Sequence, residues 1–131
     1  NVPVIAIITG EGCSGGALGL AVADKVFLLE HAYYTVISPE GCASILWRDA
    51  TKAADAADAL KITAKDLMKF NIIDGEIKEP VGGAHTNYEE VSANMKKTIL
   101  DSIDELLKLP VENLKEQRYQ KFRKMGAFLE G

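Results

Sequence analysis

At 131 residues, with 47% hydrophobic and 26% charged side chains, the chain is long and apolar enough to bury one core, which argues against disorder. Fifteen Lys and Arg against nineteen Asp and Glu give a net charge of -4, so no chain-wide positive field is available for nucleic acid or anionic membrane. No apolar run reaches the roughly 20 residues of a membrane span and no signal-peptide pattern opens the chain, which points to a cytoplasmic protein.

Residues 2–9 are β-branched and apolar without alternation, the pattern of a strand covered on both faces in a parallel sheet. The chain starts at Asn1, directly ahead of this strand and without a Met, as expected of a fragment. Gly10, Gly12, Gly15 and Gly16 then break the strand, and residues 14–24 continue as a short helix dense in small side chains. Residues 25–30 and 33–38 predict two strands about a turn at His31 and Ala32. Ser38 as N-cap, with Pro39 and Glu40 after it, opens a helix through Trp47. Residues 49–60 are Ala-rich and helical, and residues 63–71 predict a short helix with Thr63 as cap and Asp66 at its third position. Residues 72–80 fit either a strand pair hinged at Asp74-Gly75 or one bent strand, and residues 81–85 a loop. From Tyr88 the pattern is helical, with Val91, Met95, Ile99, Ile103, Leu106 and Leu107 on one face. Pro110 ends that helix, and a second one is stopped by Gly126. Cys13 and Cys42 lack the spacing of a redox or zinc motif and read as free thiols, and no metal site is expected of this chain.

The stretch "TGEGCSGGALGLA" carries three chemical signatures at once. Gly10, Gly12 and Gly15 spell G-x-G-x-x-G between a strand and a helix, and Glu30 closes the next strand where a ribose-binding acid belongs. The elements that follow lack the alternation of a dinucleotide-binding domain. Gly12 to Gly16 also fit the nucleophile elbow G-x-S-x-G, with Ser14 as nucleophile and Asp74 and His85 downstream in hydrolase order. In the third reading the backbone itself acts. Amides of Gly15 and Gly16 at a helix start, unobstructed by Cβ, would stabilise an oxyanion, with Ser14 as N-cap. A fourth, purely structural reading has the glycines serve a tight turn and close packing.

The block "YYTVISPEGCASILW" (33–47), preceded by "GEGCSGGALGLAVADKVFLLE" (10–30) and followed by "EPVGGAH" (79–85), closely resembles the α subunit of bacterial-type acetyl-coenzyme A carboxylase carboxyltransferases. "RYQKFRKMG" (118–126) resembles that family's C-terminus, so the resemblance covers essentially the whole chain. It implies an α/β crotonase (ClpP-like) fold, a partial superhelix of ββα units over residues 1–87, with a C-terminal helical extension over residues 88–131. It also implies an α subunit about twice this length, with earlier units upstream, so that this piece is inactive alone and exposes a cut apolar surface prone to self-association. The implied activity transfers a carboxyl group from carboxybiotin on the biotin carboxyl carrier protein to acetyl-coenzyme A, giving malonyl-coenzyme A for fatty acid synthesis. A β subunit completes a heterotetramer of two α and two β chains, holds the acyl-coenzyme A and carries the zinc. No cofactor is bound by the α chain itself. Gly15 and Gly16 match the pair whose amides hold the biotin ureido oxygen, and Cys13 stands where the family commonly has glycine.

Ser14, Glu40, Gly41 and His85 are further candidate substrate-binding residues, although helix-start chemistry accounts for Ser38, Pro39 and Glu40 without a ligand. Trp47 reads as core or subunit-interface packing, and His31 as a turn residue. Lys115, Arg118, Lys121, Arg123 and Lys124 form a basic run that reads first as a solvated face complementing a helix dipole, and second as a patch for coenzyme A phosphates or an acidic partner. Two other functions fit the glycine stretch: a ClpP-like serine hydrolase using Ser14, and a non-catalytic acyl-coenzyme A binding or assembly module.

Overall fold

The computed structural model describes residues 1–126, so the last part of the expected 88–131 extension lies outside the described residues. Two strand-strand-helix units come first: β1 (Ile5–Ile8), β2 (Glu11–Cys13) and α1 (Ser14–Leu20), then β3 (Lys25–Leu29), β4 (Tyr33–Thr35) and α2 (Pro39–Trp47). A 3-10 turn (Ala50–Lys52) leads into α3 (Ala53–Leu60), followed by α4 (Ala64–Lys69) and β5 (Gly75–Ile77). A second 3-10 turn (Ala84–Thr86) precedes α5 (Tyr88–Leu106) and α6 (Val111–Arg123).

Like pairs with like. The first strands form one parallel sheet in the order β1-β3-β5, with Ile5 opposite Lys25 and Phe27 opposite Gly75. The second strands form another, β2 with β4, with Glu11 opposite Tyr33. Parallel pairing needs a crossover, and each unit's second strand and helix supply it. The central strand β3 is the most buried: Val26 and Leu28 are the largest fully enclosed side chains, packed with Ala23, Leu67, Ile73, Ile77 and Val91. A smaller cluster of Cys42, Ala43 and Ala56 joins α2 to α3, while Ile45, Leu46 and Trp47 stay exposed, so Trp47 is not a core residue.

Several sequence expectations change. β1 is shorter than residues 2–9 and only half-buried, because it is an edge strand of its sheet. β2 was not foreseen, since three residues inside a glycine run give no periodic signal. Residues 72–80 contain one strand and no hairpin. The Asp74 carboxylate accepts the Val26 N–H at 2.7 Å and pairs with Lys121, and the Asp74 N–H donates to the Val26 carbonyl at 2.8 Å, so Asp-Gly joins β3 instead of turning back. The long helix buries Val91 and Leu106 and lays Met95 on the core, but Leu107 faces outward.

The caps follow the sequence more closely. Ser38 Oγ accepts the Gly41 N–H at 3.1 Å and Pro39 occupies the first turn of α2. Thr63 Oγ1 accepts the Asp66 N–H at 3.4 Å and donates to the Asp66 carboxylate at 2.8 Å, closing a reciprocal box at the start of α4. The Thr63 hydroxyl, with Lys69 beside it, holds the Asp66 carboxyl below its ordinary value. Thr63→Ala is therefore expected to cost about 1 kcal/mol in urea denaturation at neutral pH. Because the folded pKa is depressed, the contact's contribution is present above about pH 3.9 and disappears as pH falls through the lower folded value, so the cost shrinks in acid.

The C-terminal helix is fastened by charge. Asp24, whose side chain is 3% exposed, accepts the Val4 N–H at 2.7 Å and both prongs of Arg118, Nε at 2.8 Å and Nη2 at 2.6 Å. Arg118 also reaches the Val2 carbonyl at 3.0 Å, and Lys121 bridges the Asp24 carbonyl and the Asp74 carboxylate. The expected solvated basic face is thus corrected for these two residues. They are spent inside the chain, tying α6 to the start of β3, and a patch for phosphates keeps only the remaining cations.

Among the described residues, no helix is long and apolar enough to cross a membrane, and no group of three or more His, Cys, Asp or Glu is placed to hold a metal ion.

Candidate functional site

The turn from β2 into α1 brings Ser14, Gly15 and Gly16 together at the start of a helix whose first-turn amides have no partner within the helix itself. Cys13 occupies the N-cap position in extended conformation and makes no side-chain cap. Ser14 is the first helical residue, with φ 63°, and its hydroxyl closes no turn, which corrects the expectation that it is the N-cap. A left-handed serine at this point costs about 1 to 2 kcal/mol, which the β2–β4 pairing on one side and the helix on the other must hold in place. Among the described residues, the N–H groups of Gly15 and Gly16 donate to no protein acceptor.

The glycines differ in what they are for. A Cβ on Gly12 would lie 2.9 Å from Ile8 Cγ2 and 3.3 Å from the Tyr33 carbonyl, so packing between β1 and β4 excludes any side chain there. A Cβ on Gly15 or Gly16 would meet nothing within 4 Å, and neither residue has the positive φ that favours glycine. The purely structural reading therefore accounts for Gly12 and fails for the later pair.

Ser14 and Gly15 open onto a cavity of about 380 Å³ walled by Leu18, Tyr34, Leu60 and Leu67. The walls are apolar, and burial pushes the Tyr34 phenol up, which keeps it a neutral donor at physiological pH. An amide pair at the rim of an apolar cavity is suited to an oxyanion, since a developing charge is poorly solvated there except by those donors. These wall residues come from β4, α3 and α4 and carried no individual signal in the sequence.

The remaining candidates lie elsewhere. Gly41 donates its amide to Ser38, and a Cβ on it would press within 3.1 Å of Ile37, so its glycine character is explained by the helix start; Glu40 sits exposed beside it. His85 lines a separate cavity with Thr9, His31 and Glu79, and the Glu79 carboxylate is bound to His31. Asp74 is held by Val26 and Lys121. The structure thus does not gather Ser14, Asp74 and His85 into a triad, and no histidine lines the cavity at Ser14. Glu30, the candidate ribose acid, is engaged by Lys78 at 2.8 Å and by the Glu79 N–H at 3.3 Å, which lowers its pKa and, with Glu76, pushes Lys78 up to about 12. Cys13 is half-buried and Cys42 buried, and both are free thiols.

Comparison with known proteins places this arrangement. A family model described as acetyl co-enzyme A carboxylase carboxyltransferase-like matches residues 1–126. The acetyl-coenzyme A carboxylase carboxyl transferase subunit alpha of Protochlamydia amoebophila is 56% identical over 131 residues, covering 100% of this chain and 42% of that protein. The subunits of the same name from Geobacter metallireducens and Clostridium beijerinckii are 56% and 59% identical, covering 99% and 98% of this chain and 41% and 47% of theirs. The chain spans less than half the length of the curated relatives it matches. With a family match across all the described residues and a glycine turn whose later pair has no packing role, the chain belongs to the acetyl co-enzyme A carboxylase carboxyltransferase-like family.

Proposed function

We infer that this chain is the glycine-turn portion of an acetyl-coenzyme A carboxylase carboxyltransferase α subunit, acting on carboxybiotin delivered by a carrier protein and yielding malonyl-coenzyme A. The observation that carries the reading is the pair of free amides at Gly15 and Gly16, placed on a cavity rim where no side chain is needed or accommodated for packing. In this reading those amides hold the biotin ureido oxygen. As the carboxyl group departs, negative charge collects on that oxygen, and donors already in position stabilise the transition state more than the ground state. The chain supplies position and electrostatics and contributes no nucleophile.

The two successive strand-strand-helix units, with first strands in one parallel sheet and second strands in another, support the crotonase assignment. A β subunit that presents acetyl-coenzyme A and carries the zinc, and a biotin carboxyl carrier protein, are the partners this reading requires. Exposed Leu20, Val36, Ile45 and Leu46 are the kind of surface that further protein covers in such an assembly.

One observation favours a second reading: the positive φ of Ser14 is the strain of a nucleophile elbow. The two separate cleanly. In the full-length α subunit with its β partner, Ser14→Ala should retain most malonyl-coenzyme A decarboxylation in the presence of free biotin, and a fluorophosphonate probe should leave Ser14 unlabelled. Labelling of Ser14, with loss of turnover in Ser14→Ala, would replace carboxyl transfer by serine hydrolysis.

A further inference from the structure

The cavity at the glycine turn does not end there. A second cavity, of about 660 Å³, shares Leu18, Tyr34 and Ile72 with it and continues past Ala21 toward Phe122 on α6. The two form one trough along the length of α1, which at 1.5 Å per residue from Ser14 to Ala21 is about 10 Å long. Its ends differ in chemistry. At one end are the free amides; at the other stand the ammonium groups of Lys69 and Lys124, both on exposed residues. Lys69 has a partner in Asp66 at 3.4 Å, and among the described residues Lys124 has no carboxylate within ion-pair distance.

Resting on the reading of Gly15 and Gly16 above, we propose that this trough receives the aliphatic arm of biotin, and that Lys69 and Lys124 at its far end contact acidic side chains of the protein to which that arm is attached. The arm is hydrocarbon between two polar ends, and so is the trough. A pantetheine arm of coenzyme A fits less well, because its two amides would be buried along a wall that offers little beyond the Tyr34 hydroxyl and Asn71 to bond them. A biotin entering head first brings its carrier up against the α4–α6 end of the chain, where exposed Phe70 lies beside the two lysines. Cations at such a rim steer an acidic partner and act mainly on encounter.

The test uses the full-length α subunit with its β partner and compares free biotin with biotinylated carrier as substrate. Charge reversal in Lys69→Glu/Lys124→Glu is expected to raise KM for the carrier about tenfold, the equivalent of 1.4 kcal/mol, while kinetics with free biotin stay unchanged. Added salt should raise the wild-type KM for the carrier and have little effect on the double variant. Leu18→Trp, at a position 56% exposed where a larger side chain leaves the fold intact, should obstruct the trough and raise KM for both substrates. An unchanged carrier KM in the lysine variant overturns the docking face, and unchanged kinetics in Leu18→Trp overturn the arm's route. Turnover with free biotin that survives Gly16→Pro instead removes the underlying reading of the amides, so the two failures are distinguishable.

Discussion

Arg118→Ala is expected to destabilise the chain by about 3 to 5 kcal/mol, seen as a lower urea midpoint with an unchanged slope. Arg118 supplies two of the three donors on the Asp24 carboxylate, and that carboxylate is nearly sealed from water. Removing the guanidinium leaves a buried charge with only the Val4 N–H, and desolvation is then largely uncompensated. The same substitution frees the Val2 carbonyl and loosens α6 from β1 and β3 together. Arg118→Lys should recover only part of the loss, since a point charge cannot reproduce the fork. Replacing both partners, in Asp24→Asn/Arg118→Leu, should cost less than Arg118→Ala alone, because no unpaired charge remains. A cost below about 1 kcal/mol for Arg118→Ala would show that the pair behaves as a surface ion pair and does not anchor the helix.

Gly16→Pro in the full-length subunit is expected to cut carboxyl transfer roughly 100- to 1,000-fold, the range for loss of one oxyanion donor. Proline removes the N–H, and it also restricts Gly15 ahead of it, so a second variant is needed to separate chemistry from distortion. Gly16→Ala serves. It keeps the amide, its Cβ meets nothing in this chain, and a helical glycine replaced by alanine should gain about 0.5 to 1 kcal/mol of stability. If the open space beside Gly16 is where substrate lies, turnover falls in a protein that has become more stable. Gly16→Ala with full activity would show that the space is merely solvent, and the amides would lose their assigned substrate.

The local elements were legible in the sequence wherever one stretch of chain decides its own conformation. Ser38 and Thr63 cap their helices because a side-chain oxygen and an amide three residues on are brought together by the backbone alone. Val91, Met95 and Leu106 announced the inward face of the long helix by their spacing. The glycine turn and its family were equally readable, since the motif blocks fall in one order along the chain.

What the sequence left open depends on partners far along the chain. Ser14 was expected to cap its helix and instead sits at φ 63°, because β2 pairs with β4 and turns the chain sharply into α1. Asp74-Gly75 has the composition of a hairpin, yet Val26 and Lys121 draw it into a parallel strand. Arg118 and Lys121 looked like a solvated face until Asp24, 94 residues from Arg118, took up the charge. By itself the sequence determined caps, helix faces and family membership, which arise from contacts a few residues apart or from motif order. Only the tertiary structure decided which amides stay free and which charges are spent, because a polar group's availability depends on every neighbour the folded chain brings to it.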